Sequence, residues 1–135
     1  ADSTEVNPDT KHPVIDILTG QKDVKSLGGS QRLGSYQANL VSKTIVRQAY
    51  KKKIIYERHR HRFEVNPKYH QVLAKSGLVI SGMSPDKRLV EFIELPPQTH
   101  PFYVATQSHP EFKSRFVEPH PLFVSFIKAA KDRVI

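Results

Sequence analysis

The segment Gln107-Ser108-His109-Pro110-Glu111-Phe112 places an imidazole and a carboxylate two positions apart. Pro110 disfavours helix at His109 and pushes that residue extended. In an extended chain, residues at this spacing point to the same side. His109 and Glu111 are then expected to project together into a cleft at a strand end. A carboxylate beside an imidazole fixes its tautomer and stabilises the imidazolium. These are the base and the orienter of a nucleophile–base–orienter triad. The nucleophile is missing, and the chain contains no cysteine. The plain alternative is a surface histidine beside a surface glutamate in a turn.

A second run is Glu57-Arg58-His59-Arg60-His61-Arg62-Phe63-Glu64. In a strand, alternation puts Arg58, Arg60 and Arg62 on one side and His59 and His61 on the other. An arginine fork can clamp a carboxylate or phosphate bidentately. The run could also extend Lys51-Lys52-Lys53 into a nucleic-acid stripe, although only Tyr56 and Phe63 flank it as stacking aromatics. Metal binding by His59 and His61 lacks a Cys or acidic cluster at ligand spacing. A solvated charged strand, with Glu57 and Glu64 as ion-pair partners, is the plain alternative. A third segment, Leu27-Gly28-Gly29-Ser30-Gln31-Arg32-Leu33-Gly34, has the paired glycines of a close backbone approach. It lacks the GxxxxGK[ST] and GxGxxG spacings of phosphate loops.

These segments must be held by a scaffold of modest size. The 135 residues fit one domain, and 38% hydrophobic with 25% charged residues describes a globular chain. The absence of cysteine excludes a disulfide scaffold and a thiolate metal site within the chain. No apolar run approaches the ~18 residues of a membrane span. Lys and Arg outnumber Asp and Glu by 21 to 13, for a net charge of +8, which weakly favours an anionic partner. The chain opens at Ala1 and its only methionine is Met83, so a longer parent polypeptide is expected.

The element pattern reads as mixed α and β. Residues 13–18 form an apolar run expected as a buried strand, and residues 19–35 read as an irregular glycine-bearing loop. A weakly alternating strand is expected over 36–41. Ser42 can N-cap a short helix over 44–50. A strand over 53–56 leads into the arginine–histidine run. Asn66 and Pro67 predict a helix start, and Gly77 its end. Paired strands are expected over 78–81 and 88–95, joined by a Gly/Ser/Pro/Asp turn. A further strand over 102–107 follows. Residues 121–133 close the chain as an amphipathic helix with Leu122, Phe123, Phe126, Ile127 and Ala130 as its apolar stripe.

Taken together and in this order, "LGGSQRLG" (27–34), "ERHRHRFEVN" (57–66) and "QSHPEF" (107–112) resemble the glutamine amidotransferase domain of the CTP synthase family. "STE" (3–5) and "HPLF" (120–123) fit the same pattern. The likeness covers nearly the whole chain. QxHPE alone would indicate only the wider class I amidotransferases; the glycine loop and the RHRHR segment are more specific. Ser30 and Gln31 stand where the family has Thr and Met.

The resemblance implies an α/β three-layer sandwich around a mixed central sheet, with residues 1–135 as the C-terminal portion of the amidotransferase domain. It implies that His109 activates a cysteine nucleophile and that Glu111 orients His109. It implies that Arg62 and Glu5 hold the carboxylate and ammonium ends of substrate glutamine. The thiolate would attack the side-chain amide carbon, ammonia would leave, and water would hydrolyse the γ-glutamyl thioester. The ammonia would then aminate ATP-activated UTP in a separate synthetase domain that uses Mg-ATP; no cofactor is expected in this chain itself. The family's cysteine lies in a GxCxGxQ-type elbow upstream of the STE segment. This chain alone is therefore expected to be inactive. The expected partners are glutamine, the first half of the amidotransferase domain and the synthetase domain. The intact enzyme is expected to be a cytoplasmic homo-oligomer, a tetramer, with no membrane and no nucleic acid. Two competing readings are a basic nucleic-acid-binding module and a catalytically dead amidotransferase-like interaction protein.

Overall fold

The computed structural model describes residues 1–17 and 32–133. Its larger sheet has five antiparallel strands in the order β4-β3-β6-β7-β8. These are β3 (Arg32–Leu40), β4 (Ile54–His61), β6 (Val79–Met83), β7 (Val90–Glu94) and β8 (Val104–Thr106). A smaller mixed sheet joins β1 (Asp2–Ser3), β2 (Pro13–Asp16) and β5 (Glu64–Val65), with β1 parallel and β5 antiparallel to β2. Three helices complete the fold: α1 (Ile45–Tyr50), α2 (His70–Lys75) and α3 (Pro121–Lys131). This is the α/β class, with mixed strand directions, expected from the sequence.

The strand β3 begins at Arg32, earlier than its weak alternation suggests. It pairs along nearly its whole length with β4, from Arg32 opposite His61 to Asn39 opposite Ile54. Gly34 sits inside this ladder at φ +106°, a backbone state that other residues rarely adopt. Residues 27–31 of the glycine segment lie outside the described residues, as does Leu18. β2 is half-buried rather than buried.

Helix α1 is capped by Thr44, not by Ser42. The Thr44 hydroxyl donates to the Val41 carbonyl and accepts from the Arg47 N–H. The first helical amides also donate to a buried carboxylate, Ile45 N to Glu94 Oε1 at 2.8 Å and Val46 N to Glu94 Oε2 at 3.2 Å. A carboxylate there meets the positive end of the helix dipole and satisfies orphan donors. The predicted 67–76 helix opens as a 3-10 turn over Pro67–Tyr69 before α2. Asn66 accepts from Lys68 N and donates to the Pro13 carbonyl, which ties the turn to β2.

The core lies between the large sheet and helices α1 and α3. Ala38, Leu40, Val46, Ile55, Phe92 and Leu122 form it. Gly82 is required there: a Cβ would lie 2.6 Å from Phe92 Cδ2 and 3.0 Å from Leu40 Cδ2. Only Leu122 of the expected α3 stripe is buried; Phe123, Phe126 and Ile127 are 41%, 53% and 63% exposed. Amphipathicity fixed which face is apolar, but the described residues offer no surface to cover all of it.

Candidate active site

The strand β4 organises the arginine–histidine run and anchors the His109 segment. Its side chains alternate: Ile55, Glu57 and His59 are buried, while Tyr56, Arg58 and Arg60 are exposed. The arginine side and the histidine side of the run are thus separated as alternation demands. The solvated-strand reading fails for the inner face, where the charged and polar groups are buried.

Just past the end of β4, the link 62–63 turns the chain into β5. Arg62 and Phe63 line a cavity of about 820 Å³ together with Arg60, His61, Ile15, Gln107 and Glu5. The two residues that the resemblance gives to opposite ends of a zwitterion thus line the same cavity, although they lie far apart in sequence. Arg62 makes no ion pair among the described residues, and its Nε has no hydrogen-bond partner there. Its guanidinium carbon lies 5.7 Å from the centre of the Phe63 ring. Glu5 is exposed, and among the described residues only its backbone N–H is engaged, by Ser3 Oγ at 3.2 Å. Two guanidinium groups and one carboxylate around a cavity suit a small molecule bearing a carboxylate and an ammonium.

His109 Nδ1 lies 2.7 Å from Glu111 Oε1. The pairing expected from sequence is present, but its geometry is different. His109 is extended at φ −109°, ψ 83°, and Pro110–Phe112 then form a 3-10 turn that swings Glu111 back to the ring. A carboxylate accepting from Nδ1–H leaves Nε2 to take a proton from a nucleophile. The hydrogen bond to His109 and, farther off, the charge of Arg60 hold the Glu111 carboxyl below its ordinary value. Phe112 stacks on the His109 ring with centroids 5.0 Å apart. His109 and Glu111 lie outside the cavity's lining; Gln107 is the part of their segment that enters it.

The His109 segment is fastened to β4 at three successive residues. His109 N–H donates to the Arg58 carbonyl at 2.8 Å. Lys113 Nζ donates to the Tyr56 carbonyl and lies 3.5 Å from Glu57 Oε1. Glu57 Oε1 also accepts from Tyr50 Oη at 3.1 Å and lies 3.2 Å from His120 Nε2. Burial alone would raise the Glu57 carboxyl. The bonds and charges of His120, Lys113 and Tyr50 outweigh it and hold the group below its ordinary value. His120 is in turn the N-cap of α3, with Nδ1 accepting from Leu122 N–H at 3.3 Å.

Sequence reasoning missed the buried network behind the cavity. Arg32 donates to Glu91 at 2.6 Å and lies 3.5 Å from Glu64 Oε1, and all three side chains are buried. Desolvation pushes Glu64 up to about 7, against the pull of Arg32. Desolvation likewise raises Glu91 in spite of its short bond to Arg32. The available signal was the inward parity of Glu57, His59 and His61 in a strand whose opposite face carries arginine. Among the described residues no three His, Cys, Asp or Glu side chains converge on a metal position. No described helix is long and apolar enough to cross a membrane.

Comparison with known proteins follows the same lines. A family model described as glutamine amidotransferase class-I matches residues 12–129. A CTP synthase of Caldanaerobacter subterraneus subsp. tengcongensis is 55% identical over 96% of this chain and 24% of its own length. The CTP synthase of Methanocaldococcus jannaschii is 52% identical over the same shares. The chain thus spans about a quarter of the curated relatives that it matches. Among solved structures, the glutaminase domain of a Trypanosoma brucei CTPS with bound acivicin superposes with a TM-score of 0.85 at 36% identity. That match covers 97% of this chain and 50% of the solved one. The chain belongs to the class I glutamine amidotransferase family, and over nearly its whole length it is similar to about a quarter of CTP synthases.

Proposed function

We propose that this chain supplies the base, the orienter and the substrate clamp of a cysteine-type glutaminase that feeds CTP synthesis. The carrying observation is that Glu5 and Arg62, from distant parts of the sequence, line one cavity with Gln107, whose segment runs on to the His109–Glu111 pair. Arg62 takes the α-carboxylate of glutamine and Glu5 its α-ammonium. His109, oriented by Glu111 through Nδ1, removes the thiol proton of a cysteine outside this chain and delivers it to the departing ammonia. The γ-glutamyl thioester so formed is hydrolysed by water, with His109 again acting as the base.

The parent enzyme then uses this ammonia to aminate ATP-activated UTP to CTP in a synthetase domain holding Mg-ATP. In this reading magnesium acts in the synthetase domain, and this chain contributes the glutamine site. The parent is a cytoplasmic homo-tetramer in this reading, and these 135 residues alone, lacking cysteine, are inactive. The test is denaturing immunodetection in the source cell with glutaminase assay of the isolated species. A band far above 15.4 kDa that hydrolyses glutamine supports the reading. A band near that mass without activity contradicts it and favours an interaction protein.

A further inference from the structure

Two imidazoles touch at the inner edge of the cavity, whose lining includes His61. His59 Nδ1 lies 2.9 Å from His61 Nε2, and His61 Nδ1 lies 3.0 Å from the Phe63 carbonyl. On the inner side, His59 Nε2 lies 3.4 Å from Glu91 Oε2. A carbonyl only accepts, so His61 Nδ1 carries a proton. Two ring nitrogens at hydrogen-bond distance share one proton between them. With His61 neutral, its Nε2 is bare and His59 Nδ1 is the donor. Every bond then points outward, from His59 through His61 to the Phe63 carbonyl, across the turn that holds Arg62.

We propose that His59 and His61 are positioning residues for the glutamine site, forming a one-directional hydrogen-bond relay that fixes the turn presenting Arg62 to the cavity. The proposal rests on the glutaminase reading only for the identity of the ligand that Arg62 holds.

The surroundings favour the neutral rings that the relay needs. His59 is 3% exposed and meets the edge of Tyr36 with ring centroids 5.6 Å apart. Its burial, and then the charges of Arg32, His61 and His109, drive it down to about 3. His61 is shifted in the same direction by burial and by Arg32. Glu91 Oε2 faces His59 Nε2, and burial raises this carboxyl above its ordinary value in spite of its bond to Arg32. On the other side of the turn, Glu64 is fully buried and lies 3.7 Å from His61 Nδ1 and 3.5 Å from Arg32. Both ends of the Arg62 turn are therefore anchored in the interior.

The relay predicts an uncommon protonation pattern. At neutral pH both rings are neutral with the proton on Nδ1. Nitrogen NMR of imidazole-labelled protein carrying this chain reads this directly. Either ring found charged, or protonated on Nε2, overturns the proposal. Two variants supply the functional readout. Asparagine places an amide N–H near the position of Nδ1, whereas glutamine places one near Nε2. His61→Asn keeps the donor to Phe63 but loses the acceptor for His59, and should raise the glutamine KM only about threefold. His61→Gln loses it and should raise KM about tenfold, with kcat changed less. Equal KM increases in the two variants overturn the proposal. If the unmutated protein does not hydrolyse glutamine, the glutaminase reading falls, and the ring tautomers still decide the relay.

Discussion

At the residue scale, each proposed contact makes a different kinetic demand. His109 moves protons and Arg62 only binds, so their substitutions should separate. His109→Ala removes a general base, a loss of about 10²–10⁴ in kcat. Glu111→Gln keeps the size but removes the charge opposite Nδ1, and should lower kcat with little change in KM. A fourth residue, Glu64, predicts a stability effect. Burial pushes the Glu64 carboxyl up to about 7, whereas an unfolded glutamate titrates near ~4.3. Between these values the folded chain binds the extra proton, so stability falls as pH rises through the window. Glu57 has the opposite sign: its depressed carboxyl adds stability above about 4.3 that is lost on acidification. Glu64→Gln should therefore shrink the stability difference between about pH 5 and about pH 8, read from urea midpoints in the protein carrying this chain. An unchanged difference would contradict the assigned shift.

At the element scale, β4 is the common ruler. One strand carries Arg60 to the cavity, leads into Arg62, and fastens the His109 segment through its Tyr56, Glu57 and Arg58 positions. Glu57→Gln should loosen the segment and lower kcat more than it raises KM. Hydrogen exchange at the His109 amide, bonded to Arg58, should accelerate in the same variant; unchanged exchange would show that Glu57 does not fasten it. Gly82→Ala forces a Cβ against Phe92 and Leu40 and should destabilise the fold by about 1–3 kcal/mol, measurable by thermal melt. Much of this scale was legible in the sequence. The parity of the 57–62 run separated buried from exposed side chains, and Pro67 and Pro121 marked the starts of their helical segments. Three features were not legible. Thr44 outcompeted Ser42 as cap because its hydroxyl also reaches the Val41 carbonyl. Pro110 opened a 3-10 turn where extension was expected, and that turn delivers Glu111 to His109. Glu91 and Arg32 meet from β7 and β3, strands that are not neighbours in the sheet, and no local spacing encodes that.

At the scale of the whole molecule, the described surface has an uncovered apolar side. Phe123, Val124, Phe126 and Ile127 on α3 are exposed, and Phe116 and Val117 are almost wholly so. A cavity of about 310 Å³ lined by Phe102, Tyr103, Leu122, Phe123 and Phe126 adjoins them. Exposed apolar area of this kind carries a cost in water. The isolated 135-residue chain should therefore bind a hydrophobic dye and melt at low temperature or without cooperativity. A sharp, high-temperature melt with no dye binding would show that this surface is tolerated. The family could be read from the sequence because three motifs keep their order; the incomplete helix packing could not, because amphipathicity says which face is apolar and not what meets it.

The most direct test of the central claim is the glutamine kinetics of Arg62→Ala beside His109→Ala in the full polypeptide carrying this chain. Loss of a charge-assisted carboxylate contact should raise KM about 10–100-fold in Arg62→Ala while kcat falls far less. His109→Ala should do the reverse. Such a split places Arg62 on the substrate and His109 on the chemistry. Arg62→Ala with unchanged KM, or His109→Ala with unchanged kcat, would contradict the account.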